Sequence, residues 1–131
     1  NQVFDNKLLS RVVFDNCKLL GTSFVNSSLK DVTFSSSNFK YTNFFASSLN
    51  NIEIIDSDFS NSIFTESKIK NISLYNSTFN ETEFIRTNLK DVDFSTCNIE
   101  RIVFDIDSLK GIKINALQAS DIISLFGVQI K

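Results

Sequence analysis

Large apolar residues recur at every fifth position of this chain. From Phe4 to Ile114, each fifth residue is Phe, Leu or Ile, 23 times without a break. The other four registers of the stretch hold only 11 such residues. These types make up about three in ten positions there, so an unbroken run has chance odds on the order of 10⁻¹². A period of five matches neither a helix nor a simple alternating strand. The columns around each apolar centre explain it. Two residues before the centre, the side chain is nearly always small or β-branched, as at Val12, Cys17, Thr22, Ser27, Val32, Ser37, Thr42, Ser47, Ile52 and Ser57. Residues two apart in extended chain share a face. Both therefore point inward, and the residue between them points out. Two residues after the centre, 13 of 22 positions are Asn, Asp, Gly or Ser, for example Asn6, Asn16, Gly21, Asn26 and Asp31. These types accept turn geometry, including φ > 0. A short extended side plus a corner, repeated, predicts a polygonal coil.

A sub-period of 20 residues fixes the polygon as a square. Every fourth centre gives Phe4, Phe24, Phe44, Phe64, Phe84 and Phe104, all Phe, here called the Phe face. The next side, the Leu face, holds Leu9, Leu29, Leu49, Ile69, Leu89 and Leu109. The third has Phe14, Phe34, Ile54, Leu74, Phe94 and Ile114, and its small inward position is β-branched throughout, from Val12 to Ile112, so it is called the branched face. The fourth face has Leu19, Phe39, Phe59, Phe79 and Ile99. Like residues stack on like; coils of three pentads would scatter these columns.

The pattern resembles the pentapeptide-repeat family, whose repeat reads roughly A(D/N)Lxx. The resemblance covers residues 2–116, with Ser and Thr in place of most of the family's Ala. It implies an all-β fold, a right-handed quadrilateral parallel β-helix, here of about six four-pentad coils. Residues 1–116 are expected to form the β-helix and 117–131 a C-terminal element of the same domain. After Ile114 the period breaks. Leu117, Ala119, Ile122, Ile123, Leu125 and Phe126 suit a short helix, Gly127 suits its stop, and Val128–Lys131 suits a short strand. The segment QASDIISLFGVQI is similar to the C-terminal helix and strand of the quinolone-resistance members. In those members this element makes an end-to-end homodimer. Leu117, Ile122, Ile123, Leu125 and Phe126 are thus candidates either for a dimer contact or for a cap on the open strand edges of the last coil. The apolar residues cover more of the helix than one capping face needs, which favours the dimer.

Composition narrows the chemistry. The 131 residues make one domain, with net charge −2 and no His, Trp, Met or Pro. Lack of His removes the commonest general base, metal ligand and pH switch. Cys17 and Cys97 share one inward column four coils apart, ~19 Å by strand spacing, beyond the ~7 Å reach of a disulfide. Two isolated thiols suit a reduced compartment, so a cytoplasmic location is expected. No segment approaches the length of a membrane span, and no signal peptide opens the chain. A start without Met and already in register points to a piece of a longer chain. The carboxylate pairs Asp105 with Asp107 and Glu53 with Asp56 would sit on a convex rod, where glycoside chemistry would need a cleft. Gly21, Gly111 and Gly127 are dispersed and form no phosphate-cradling loop. Sequons at Asn26, Asn71, Asn76 and Asn80 are expected by chance in a chain this rich in Asn, Ser and Thr. No enzyme activity, cofactor or metal is expected.

What remains is surface. The Phe face carries Asp5, Glu66, Glu83 and Asp105 against Arg86, and the branched face carries Asp15, Glu53, Asp56 and Asp93 against Lys113, a net −3 each. The Leu face between them is +4, with a ladder at Lys30, Lys70, Lys90 and Lys110. An outward apolar stripe, Val25, Phe45 and Ile85 with Ile63 beside it, is a candidate protein-binding surface. The resulting expectation is a non-enzymatic scaffold with a protein partner and no direct contact to nucleic acid or membrane. The alternative, implied by the family resemblance, is a DNA mimic that occupies a type II topoisomerase (gyrase) and gives fluoroquinolone protection. Duplex DNA carries about one charge per 1.7 Å, so a ~28 Å rod would need ~16 negative charges to match it. The two acidic faces fall well short of that.

Overall fold

A computed structural model describes residues 1–129 and 131. The chain winds as a parallel β-solenoid in which each residue lies over the one 20 positions earlier. On the Phe face Val3, Ser23, Asn43, Ile63, Glu83 and Val103 pair in series, five coil-to-coil steps; the sixth coil, ending at Ile114, is partial. Four eight-residue strands form one sheet: β1 (Leu8–Asp15), β2 (Ser28–Ser35), β3 (Ser48–Ile55) and β4 (Lys68–Tyr75). Each runs along the Leu face, bends at a positive-φ residue (Arg11, Asp31, Asn51, Asn71) and continues along the branched face. The Phe face ends in the short pair β5 (Glu83–Phe84) and β6 (Val103–Phe104).

The corners decide the shape. Of the 22 corner positions from residue 6 to 111, 20 have positive φ. Asn, Asp and Gly adopt this region readily, but Arg11, Tyr41, Ala46, Glu66, Glu81, Arg86 and Arg101 adopt it too. The left-handed region costs an ordinary L-residue about 1–2 kcal/mol, so stacking of the coils overrides local preference at these seven. The two exceptions are Thr96 and Ile106. Both are β-branched, for which φ > 0 is most strained. At Ile106 the chain instead starts a one-turn helix, α1 (Ile106–Leu109), with Asp105 as its N-cap.

Inside, the Phe rings stack vertically. Centroids are 5.1 Å apart for Phe4–Phe24, 5.0 Å for Phe24–Phe44, 4.7 Å for Phe44–Phe64 and 5.2 Å for Phe64–Phe84. Across the shaft the contacts are edge-to-face, such as Phe34–Phe39 at 5.0 Å. Both geometries suit the ring quadrupole. Phe104, in register with Phe84, meets Phe126 of the tail edge-on at 5.7 Å. The inward Ser and Thr hydroxyls bring polar atoms into this core. Each needs a partner, and the coils supply one: Cys17 N–H donates to Ser37 Oγ (3.0 Å), Ser37 N–H to Ser57 Oγ and Ser57 N–H to Ser77 Oγ (both 3.1 Å). Among the described residues no buried side-chain polar atom lacks a partner. Cys97 closes this column as a buried thiol, and burial raises its pKa.

One seam interrupts the wall. The fourth and fifth coils are bonded on the Phe face, where Phe64 N–H donates to Glu83 O (2.8 Å), and on the fourth face, where Phe79 N–H donates to Asn98 O (2.8 Å). Between β4 and residues 88–95 no backbone hydrogen bond or bridge forms among the described residues. Ile69, Ile72 and Leu74 are consequently half-buried, whereas Leu49, Ile52 and Ile54 one coil earlier are 1–2 % exposed. The seam ends at the anomalous corner Thr96. Asp56 N–H donates to Tyr75 O (3.0 Å), but its successor Asn76 N–H donates to the Thr96 hydroxyl (3.1 Å).

The tail differs from expectation at its end. The helix α2 (Ala116–Ser124) forms, one residue beyond a capping box in which the Asn115 side chain accepts from Gln118 N–H and Gln118 Oε1 accepts from Asn115 N–H. The expected strand over Val128–Lys131 is not seen at Val128, Gln129 or Lys131, which make no backbone hydrogen bond to another described segment; Ile130 lies outside the described residues.

Candidate interaction surfaces

The acidic residues expected to face a partner are largely engaged with their own coils. On the Phe face, Asp5 Oδ1 accepts from Ser23 Oγ (2.5 Å) and Val25 N–H (2.9 Å). Glu83 accepts from Thr65 Oγ1 (2.5 Å), and Glu66 pairs with Arg86 at 2.7 Å. Asp105 accepts from Ser108 Oγ (2.6 Å) and Arg86 N–H (2.8 Å). On the branched face, Asp15 accepts from Ser35 Oγ, Asp56 from Asn76 Nδ2 and Asp93 from Ser95 N–H. Only Glu53 of the eight has no hydrogen-bond or ion-pair partner among the described residues. Six of them, Asp5, Asp15, Asp56, Glu66, Glu83 and Asp105, bond to a neighbouring coil because the 20-residue register brings the partners there, whereas Asp93 bonds within its own corner. Their first task is to hold coils together.

Two of them titrate abnormally. The Ser108 hydroxyl, and after it the Arg86 N–H, holds the Asp105 carboxyl below its usual range. The Ser95 hydroxyl does the same for Asp93, with its backbone N–H and Lys113 adding to the effect. A folded-state pKa below the unfolded value stabilises the fold above the unfolded pKa, roughly 4, and that contribution is lost as pH falls through the folded pKa. Asp105→Asn is therefore expected to flatten the fall in melting temperature between pH 5 and pH 2. An unchanged fall would show that Asp105 is not pH-linked to folding.

The outward apolar stripe is only partly accessible. Phe45 is 37 % exposed, while Val25, Ile63 and Ile85 are half-buried, and Thr65, the member between Phe45 and Ile85, is buried with its hydroxyl on Glu83. Phe45 is thus the one prominent side chain of this stripe, with Asn43 and Ile63 alongside it. On the Leu face, Lys110 pairs with Asp107 (3.1 Å), whereas Lys30, Lys70 and Lys90 have no ion-pair partner among the described residues.

At the C-terminal end, α2 docks through Gln118 and Ile122. Gln118, which the apolar pattern passes over, is buried; its Nε2 donates to Phe94 O (2.7 Å) and Cys97 O (2.6 Å). Its signal in the sequence is the Asn115-x-x-Gln118 capping box. Leu117, Ile123, Leu125, Phe126 and Val128 stay exposed, with Leu117 at 81 %. The recess over Asn16, Ser36 and Asp56 is an open surface groove lined mainly by polar residues. No group of three or more His, Cys, Asp or Glu side chains is placed to hold a metal ion among the described residues. No helix is long and apolar enough to cross a membrane among them.

Comparison with known proteins agrees with this geometry. A family model described as a pentapeptide repeat region matches residues 7–84. Among solved structures, the pentapeptide repeat protein Rfr23 from the cyanobacterium Cyanothece 51142 superposes with TM-score 0.71 at 13 % identity, covering 87 % of this chain and 86 % of its own. A pentapeptide repeat protein from the Arabidopsis thaliana thylakoid lumen aligns with TM-score 0.38 at 22 % identity, over 74 % of this chain and 71 % of its own. A trypsin-treated form of QnrB1, a plasmid-mediated fluoroquinolone resistance protein, aligns with TM-score 0.29 at 15 % identity, over 99 % and 96 %. None of the curated proteins matches the chain.

Proposed function

The chain belongs to the pentapeptide repeat family, and on that premise we propose that it is a non-enzymatic scaffold that binds another protein through its flat faces. The observation that carries this reading is Phe45. An aromatic ring stands 37 % exposed on a flat strip, in register between Val25 and Thr65 with Asn43 and Ile63 alongside, an apolar anchor with polar neighbours of the kind that protein interfaces use. Among the described residues no loop projects to form a cleft, and six of the eight acidic candidates are bonded to a neighbouring coil. The scaffold works in the cytoplasm, uses no cofactor, and contacts neither nucleic acid nor membrane directly.

A photo-crosslinking residue in place of Phe45, introduced in source cells, is expected to give a discrete protein adduct. The same residue at Asn80, on the charge-balanced fourth face, is expected to give none. Equal adducts from both positions, or none from position 45, would overturn the reading.

A second reading follows from the tail. Exposed Leu117, Ile123, Leu125 and Phe126 leave an apolar end available for a second copy, and an end-to-end homodimer would make a longer rod. In the quinolone-resistance members such a rod occupies gyrase. Engagement of seven of the eight acidic candidates within the fold weakens the resemblance to DNA. A supercoiling assay with and without a fluoroquinolone decides it: inhibition or rescue at micromolar protein supports a topoisomerase partner, and neither effect discards it.

A further inference from the structure

Tyr75 stands at the end of β4 on the branched face, opposite the face of Phe45, and is 58 % exposed. The sheet register sets its neighbours. Ile55 lies over Tyr75 one coil earlier, and Glu53 lies over Ser73, the outward residue two places before Tyr75. Adjacent strands are ~4.8 Å apart and residues two apart in a strand ~6.6 Å, so the diagonal from Glu53 to Tyr75 is ~8 Å between Cα atoms. A long side chain and an aromatic ring meet across such a diagonal. Ser73, in the angle between them, is small and exposed and leaves the surface open there. Glu53 has no hydrogen-bond or ion-pair partner among the described residues, and Asp56 at the adjoining corner uses only Oδ1, on Asn76. The nearest cations lie apart from these acids: Lys113 is in register beyond Asp93, and Lys70 stands on the Leu face across the Asn71 corner. Neither forms an ion pair with Glu53 or Asp56. An exposed ring beside an unpaired carboxylate selects its occupant. A neutral partner would bury Glu53 without a counter-charge, and an acidic one would be repelled. A guanidinium satisfies both groups, because it stacks flat on an aromatic face and donates a fork of N–H groups to a carboxylate.

We propose that Tyr75, Ile55 and Glu53 form a second docking site, for an arginine-bearing basic segment of a partner protein, with the guanidinium over Ser73, its face on the Tyr75 ring and its N–H groups on the Glu53 carboxylate. The proposal rests on the reading of the chain as a protein-binding scaffold and adds the chemistry of one partner segment on the face away from Phe45. The methylene stem of the arginine packs on Ile55. The free carboxylate oxygen of Asp56 takes a second cation of the segment at the corner. Lysine is the poorer occupant, because its ammonium is a strongly hydrated point charge without the planar fork.

The test is a nuclear magnetic resonance titration of the full chain with the peptide acetyl-Arg-Gly-Arg-Gly-Arg-amide and with its Lys-for-Arg and Glu-for-Arg counterparts. The Arg peptide is expected to give saturable shifts at the amides of Glu53, Ser73 and Tyr75, larger than those at Asp5 and Glu66 on the opposite face. The Lys peptide should bind about threefold more weakly, and the Glu peptide should not bind. Tyr75→Ala leaves the net charge unchanged and should weaken the Arg peptide about threefold to fivefold, whereas Tyr75→Phe should bind as the parent does. Glu53→Gln should weaken it about threefold. Both positions are exposed, so these variants keep the fold. Shifts spread evenly over both acidic faces, or a Tyr75→Ala variant that binds like the parent, would mean general attraction of a polycation to an acidic surface and end the proposal. No saturable shift at Glu53, Ser73 and Tyr75 would end it too, while leaving the Phe45 reading to its own crosslinking test.

Discussion

Phe64→Ala is expected to lower folding stability by about 3–5 kcal/mol. Phe64 is 2 % exposed and lies in the middle of the rod, stacked on Phe44 at 4.7 Å and Phe84 at 5.2 Å, with Phe59 and Phe79 at 6.3 Å. Removing the ring takes contacts from all four neighbours at once. The backbone cannot collapse to fill the hole, because Phe64 N–H is tied to Glu83 O and Phe64 O to the hydroxyl of Thr87. The loss therefore combines transfer of the ring with a retained cavity. In a stacked repeat the damage also lands on the interface between neighbouring coils, on which stability depends. Urea denaturation measures it, and a loss under about 1 kcal/mol would contradict burial of the ring in a continuous stack.

The second large effect is expected at Gln118. Gln118→Leu keeps the volume and removes both donors to Phe94 O and Cys97 O. Phe94 O retains the N–H of Cys97 as a partner at 2.9 Å, but Cys97 O is left under an apolar cap with none. The substitution also deletes the half of the capping box that accepts from Asn115 N–H. A buried carbonyl without a donor costs about 1–3 kcal/mol, and loss of the cap adds about 1. A total of about 2–4 kcal/mol is expected, with fraying of α2 seen as reduced helical circular dichroism. A neutral result would mean that α2 is held by Ile122 alone.

Much of the rod is legible in the chain because its rule is steric and repetitive. A large residue inside, a small one two places before it and a corner two places after suffice to set the 20-residue register, and the columns of Phe and Leu leave no competing polygon. Corner chemistry is less legible. Tyr41, Ala46 and Arg101 carry no turn signal, yet neighbouring coils force them into the left-handed region. The converse was readable: Thr96 and Ile106 are β-branched at positions where φ must be positive, and both corners fail. The seam beside Thr96 is a consequence that spacing alone does not announce, since Leu89 and Phe94 keep the apolar period without interruption. The surface was legible in composition but not in use. Charge counts per face treat Asp5, Glu83 and Asp105 as free, whereas their distances to Ser23, Thr65 and Ser108 depend on register and rotamer. Gln118 was obscured because a polar residue among Leu117, Ile122 and Ile123 looks like the wet side of a helix, while here it is the side that docks.

The account stands on the vertical register of the walls, and nuclear Overhauser contacts between backbone protons of β2 and β3 in solution test it most directly. The structure requires contacts of Thr33 with Glu53 and of Phe34 with Ile54, both pairs 20 residues apart. Contacts that instead join Thr33 to Ser48, 15 residues apart, would mean three-sided coils and would undo the faces, the seam and the binding surfaces together.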